Sequence, residues 1–252
     1  MNYSKKQVSK ILPLLLFLAL LILPSTVLLA DESALEAEIQ QALSNYKAVG
    51  LDQKASYLKL FLSKSLESRS VAVARVKLEI QNTRRIGGEE KEELIGEADN
   101  LLAIISQKEK GLGEIGGLEV LKNEVEEIYN LKIFARDLPD LYIRLIIART
   151  NYELAKATLI LGNIEQKLNS DEDLKSNNLI SEKTNEAKAL ISQTKQNTDA
   201  ILLDLQRLKE TKENTTSQIN DLKSRVRELK VSQNRLLDLL KVLMQLLQKS
   251  NN

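Results

Sequence analysis

Residues 180–247 read ISEKTNEAKALISQTKQNTDAILLDLQRLKETKENTTSQINDLKSRVRELKVSQNRLLDLLKVLMQLL. Alternating steps of four and three pick out Ile180, Thr184, Ala187, Ile191, Thr194, Thr198, Ile201, Leu205 and Leu208. The same steps continue through Lys212 and Thr215 to Ile219, Leu222, Val226, Leu229, Gln233, Leu236, Leu240, Leu243 and Leu247 without a slip. Fourteen of these twenty positions are apolar. An apolar repeat of this period and length is a helical seam, and such a seam needs other helices to cover it. The stretch decides the fold class: all-α, an elongated antiparallel helical bundle or coiled coil. Its weakest point is Thr211–Ser217 (TKENTTS), where the seam carries Lys212 and Thr215. Read as one rod, a helix of about 70 residues would be about 105 Å long. Read as a hairpin, a turn near 211–217 would fold two arms against each other. The Thr/Asn/Ser cluster speaks for the turn, the unbroken register for the rod.

The far end of the seam is its most apolar part. Across Leu236–Leu247, apolar residues cover more than one face of a helix. Leu236, Leu237, Leu240, Leu243, Met244 and Leu247 are therefore the candidate interaction residues, since large exposed apolar patches mark association sites. The plainer reading is a terminal helix buried between others. The stretch is too short for a membrane span and carries Asp238 and Lys241.

The amino terminus has a different character. Lys5, Lys6 and Lys10 precede ILPLLLFLALLIL at residues 11–23, and Ala30 stands before Asp31. A basic head, an apolar core and a small residue describe a cleaved secretory signal, although Leu28 at the −3 position is larger than such sites prefer. Residues 11–30, about 30 Å as a helix, equally suit a retained membrane anchor that tethers the chain. Both readings export the rest of the chain to the periplasm, cell surface or extracellular space, because the lysines stay inside.

Composition narrows the chemistry. The 252 residues include no Cys and no His, and aromatics make up 4%. Disulfides, thiolate metal sites, imidazole bases and Ser–His–Asp triads are excluded. Charge is balanced, 36 basic against 35 acidic, and without residues 1–30 it becomes 33 against 35. A nucleic-acid partner is not expected of such a chain.

Between residue 30 and the seam, the chain reads as a run of helices. Ser33 to Glu36 forms a capping-box pattern opening a helix to about Ala48. Asp52 can cap a second helix to about Ile86, with Leu58, Leu62, Leu66, Val73, Val76 and Ile80 as its stripe. Arg69 interrupts that stripe and is expected to reach water with its head. Glu89 to Lys110 is a third helix, acidic at its start and basic at its end, as the helix dipole favours. Gly111 to Gly117 reads as a loop, and Leu118 to about Ala135 as a fourth helix. Pro139 forces a boundary. Leu141 to Ala148 is apolar almost all round and is expected at the centre of a bundle. The predicted organisation is therefore a signal or anchor at 1–30 and a helical region at 31–170 built around a central helix at 139–168. A linker at 171–178 and the heptad region at 179–248 complete it.

The run VEEIYNLKIFARDLP at 125–139, followed by IARTNY at 147–152, resembles a family of uncharacterised exported helical proteins of bacteria. In that family an "IYxxYRVxxLxxP" helix leads across a proline into an "AADR"-like helix. Arg69, the GLGEIG loop and Glu186-Ala-Lys-Ala-Leu-Ile191 fit the same layout. Here Leu131-Lys132 stands where Tyr-Arg is usual, and Arg149-Thr150 where the family has an acidic-basic pair. The resemblance spans roughly residues 52–245 and implies an all-helical exported protein with no assigned activity.

Other motifs reduce to structure. Gly111-Leu-Gly113-Glu-Ile-Gly116 matches G-x-G-x-x-G but follows a helix, whereas a dinucleotide fingerprint follows a strand. The acids at 89–93 and 171–173 lack EF-hand spacing and suit helix starts. Asn214-Thr-Thr216 is a glycosylation sequon. The chain is thus expected to be non-enzymatic, without cofactor, metal or small-molecule substrate. It would act in the cell envelope or at its surface by helix–helix association with itself or another helical protein. The alternative is a periplasmic holdase clasping unfolded clients between helical arms.

Overall fold

The computed structural model describes residues 29–210 and 216–250. Among them every regular element is helical and none is a strand, so the fold is all-α. In chain order they are α1 (Leu29–Ala48), α2 (Leu51–Asn82), α3 (Gly88–Glu114), α4 (Leu118–Asn130), a π turn (Ile133–Asp137), α5 (Leu138–Ser170), α6 (Glu172–Lys175), α7 (Asn178–Glu210) and α8 (Thr216–Ser250). The export or anchor segment, apart from Leu29 and Ala30, lies outside the described residues. So do residues 211–215 of the expected turn, with the Asn214 sequon. The chain forms two compact units. One takes the residues up to Glu79 with Ile95–Pro139, the other Ile80–Leu94 with the residues from Asp140 onward. This division follows neither the 31–170 boundary nor the 171–178 linker expected from sequence, because α2 and α3 each contribute to both units.

In the first unit, Leu58, Leu62, Leu66, Val73 and Val76 of α2 are buried, as their spacing predicts. Arg69 departs from expectation: its head does not reach water, and the residue is 4% exposed. Its Nη1 donates to Ser65 O at 2.8 Å and its guanidinium lies 5.2 Å from the Phe134 ring centre. Burial lowers its pKa to about 10. Helix α4 stops at Asn130, short of the expected Ala135, because Lys132 adopts a left-handed backbone (φ 51°). The next turn is a π turn in which Arg136 N and Asp137 N both bond to Lys132 O. Helix α3 runs on to Glu114 and absorbs Gly111 and Gly113, which the sequence suggested were loop. A mid-helix Gly costs about 1 kcal/mol. The burial of Leu112, 2% exposed, offsets roughly 1.5–3 kcal/mol. Lys59 donates to Gly113 O at 2.6 Å and Ile115 O at 3.0 Å, placing a cation on the carbonyl end of α3.

Helix starts also moved. Ser33 lies inside α1, which begins at Leu29, and Asp52 stands in the first turn of α2 rather than before it. Pro139 falls in the first turn of α5, where its missing N–H costs no helical bond.

The second unit is built on α5, α7 and α8. The expected central character of Leu141–Ala148 holds: Leu141, Ile143, Leu145, Ile147 and Ala148 are buried. Asp140–Lys209 (3.0 Å) and Glu165–Lys188 join α5 to α7, so these helices run antiparallel. Arg225–Asp204 and Arg235–Glu186, both 2.6 Å, join α8 to α7, also antiparallel. The seam is therefore a helical hairpin closed by α5. Asn177 Oδ1 starts α7 by accepting from Leu179 N at 3.1 Å and Ile180 N at 3.3 Å. The turns at the start of the unit are pinned by Lys91, which donates to Gln81 O and Thr83 O, and by Arg149, which donates to Thr83 Oγ1.

Two apolar clusters join α5, α7 and α8 in this unit. One gathers Ile143 and Ile147 of α5, Ile201, Leu205 and Leu208 of α7, and Ile219, Leu222, Val226 and Leu229 of α8. The other is built from the opposite ends of the same helices, including Leu154, Leu161, Ala187, Leu190, Leu240 and Leu243. Between them in sequence stand buried Thr150, Thr194 and Thr198, each 1% exposed or less. Each hydroxyl donates to a carbonyl one turn back, Ile146 O, Leu190 O and Lys195 O, at 2.7–2.9 Å. Burial thus leaves no hydroxyl donor of these three unsatisfied.

Candidate interaction surface

The six candidate interaction residues separate. Leu236, Leu240, Leu243 and Leu247 are 3%, 4%, 0% and 6% exposed, in the cluster with Leu154 and Leu161 of α5 and Ile180 and Ala187 of α7. They hold the bundle together and present nothing outward. Leu237 and Met244 are 42% and 46% exposed. The reason is angular. Steps of four and three keep the first set on one side of α8, and each residue advances the helix by about 100°. Leu237 follows Leu236, and Met244 follows Leu243, so both are carried off the core to one flank.

That flank continues up the helix. One position beyond each core residue stand Lys223, Arg227, Lys230, Asn234, Leu237, Lys241 and Met244. This second seam contains no acid. Lys223 is half-buried and the others are exposed. The opposite flank behaves differently. Its Arg225 bonds to Asp204 and its Arg235 to Glu186, both on α7. Arg225, with Arg207 adding to it, holds the Asp204 carboxyl below its ordinary range, and Lys183 with Arg235 does the same for Glu186.

On the acid-free flank the electrostatics are adverse. Burial lowers the Lys223 ammonium, and the Arg227 charge one turn away lowers it further. Like charges at this spacing destabilise a helix by about 0.2–0.5 kcal/mol. Lys241 pairs with Asp238 at 3.0 Å, but no described carboxylate pairs with Lys223, Arg227 or Lys230. Reading the seam alone misses this flank. The signal was present in the sequence as a second heptad, offset by one residue.

Elsewhere the surface offers less. A shallow polar cleft of about 160 Å³ lies between the end of α5 and the start of α7, lined by Glu165, Asn169, Lys175, Ser181, Asn185 and Lys188. The Glu165–Lys188 ion pair already joins two of its walls. Asp171, one of the acids singled out in sequence, accepts from Leu174 N at 3.1 Å and so caps α6. Glu89 and Glu90 occupy the first turn of α3. Among the described residues no group of three or more acidic side chains is arranged to hold a metal ion, and no helix is long and apolar enough to cross a membrane.

Comparison with protein-family models, with curated proteins and with solved structures finds no match to this chain.

Proposed function

We propose that this chain is a non-enzymatic, exported interaction module of the bacterial cell envelope or surface, and that it works by helix–helix association. The observation that carries the reading is the exposed pair Leu237 and Met244, two turns apart on a helix whose rotation is locked by its buried side. An apolar pair at heptad spacing on a rigid helix is what a partner helix reads. Export rests on the basic head and apolar block of residues 1–30 and on the family resemblance. A holdase would need the facing sides of its arms open to clients. The facing sides of α7 and α8 are filled by one another and by α5.

The test is light scattering coupled to size-exclusion chromatography on the chain recovered from an exporting host, beside Leu237→Glu/Met244→Glu. Both positions are exposed, so the variant should keep the parent helicity and melting temperature while losing self- or partner association. Association undiminished in a folded double variant would remove this surface from consideration.

A further inference from the structure

The acid-free flank of α8 invites a question that helix–helix association does not answer, namely why a folded helix should carry Lys223, Arg227 and Lys230 on one side with no carboxylate among the described residues set against them. Seven basic residues and three acidic ones lie in α8. Two of the seven, Arg225 and Arg235, are spent on α7. The flank cations run along one line from Lys223 to Lys241, about 27 Å at 1.5 Å per residue. All four lie on one face of a single helix. Lysine supplies three of the four charges, and lysine is depleted in protein–protein interfaces, where arginine and aromatics are enriched. Such a row of lysines fits a surface of diffuse negative charge better than a shaped protein partner. Exposed Leu237 and Met244 on the same line suit the polar–apolar boundary of such a surface. The sequence itself places a membrane within reach, through the basic head and apolar block at residues 1–23.

We propose that the Lys223–Arg227–Lys230–Lys241 flank of α8 docks on an anionic phospholipid surface. At Lys223, Arg227 and Lys230 headgroup phosphates occupy the place that carboxylates fill on the opposite flank, while Lys241 already pairs with Asp238. The half-buried position of Lys223 beside Arg227 agrees with this, since an arriving anion relieves a repulsion that the folded chain leaves standing. The proposal goes beyond helix–helix association: its charged residues are different, although exposed Leu237 and Met244 lie on the same line.

The absence of cysteine makes the test clean. A single cysteine at exposed Asn234, on the flank, carries a donor dye. A second preparation carries it at exposed Gln196 on α7. The full chain is reconstituted with phosphatidylcholine vesicles, with or without 30% phosphatidylglycerol, holding a headgroup-linked acceptor. Energy transfer from position 234 should rise in anionic vesicles only, and it should fall back in 0.5 M salt, where screening is nearly complete beyond a few ångströms. Each cation near an anionic surface contributes about fivefold in partitioning, so Lys223→Gln/Arg227→Gln/Lys230→Gln should reduce docking by about 100-fold. Position 196, on the neighbouring helix, should respond less than position 234. An equal response at 196 would show general adhesion and overturn the proposal. So would a triple variant that keeps its melting temperature and docks like the parent. Lipid-independent cross-linking between copies at position 234 would assign the flank to a second copy and overturn it as well.

Discussion

Leu243 and Met244 are neighbours in sequence, and the structure gives them opposite roles. Leu243 is fully buried between α5 and α7, while Met244 is 46% exposed. Truncating a leucine at such a site removes its transfer free energy and leaves a cavity. The range for that change is about 2.7–5 kcal/mol. Leu243→Ala should therefore cost the second unit about 3 kcal/mol. For a domain of this size 1 kcal/mol moves the melting temperature by about 2–4 °C, so the expected fall is about 6–12 °C. Met244→Ala leaves no enclosed cavity and should cost about 0.5 kcal/mol or less. The assay is urea and thermal unfolding followed by far-UV circular dichroism, with light scattering on the same samples. Light scattering should show altered association in Met244→Ala, and the unfolding curves should show lost stability in Leu243→Ala. Similar losses of stability in both variants would refute this rotation of α8. So would a Leu243→Ala protein as stable as the parent.

Two further outcomes come from the charges. Arg225 holds the Asp204 carboxyl below its ordinary 3.8. The folded state thus binds that proton less readily than the unfolded state, and the pair stabilises at pH above 3.8. That contribution is lost as pH falls below 3.8 through the folded value. Urea midpoints at pH 6 and pH 3 should therefore converge between parent and Asp204→Asn at the lower pH, and a constant gap would count against the pair. Arg69 is buried with its Nε unpartnered, so Arg69→Met should be neutral or stabilise the first unit by about 1 kcal/mol. Arg69→Ala should destabilise it by about 2 kcal/mol through the cavity it leaves. Urea titration separates these outcomes, and a large loss in the Met variant would show the guanidinium to be needed.

Much of the helical pattern is legible in the sequence. The stripe of α2, the buried Leu141–Ala148 run and most of the seam lie where their spacing put them. Within α7 the reading is off by a step: Leu190 is buried and Ile191 half-buried. A strict 3.5-residue repeat drifts against a helix of 3.6 residues per turn. Glycine misled at 111 and 113, because burial of Leu112 outweighs the propensity of its neighbours, whereas Gly116 and Gly117 do stand in the loop before α4. Lys132 gave no warning, since lysine has no preference for the left-handed region and adopts it only where the surrounding chain imposes the turn.

The sequence by itself determined that this is an all-α chain and that its long seam must be covered, because apolar side chains at helical spacing cannot stay in water. Which surface covers the seam was decided only by the tertiary structure. A heptad pattern is the same whether its partner is the other arm of a hairpin, α5, or a second molecule. Here ion pairs between α7 and α8, and the leucines of α5, settle the pairing within one chain. They turn Leu243 inward, and the 100° step to the next residue leaves Met244 at the surface.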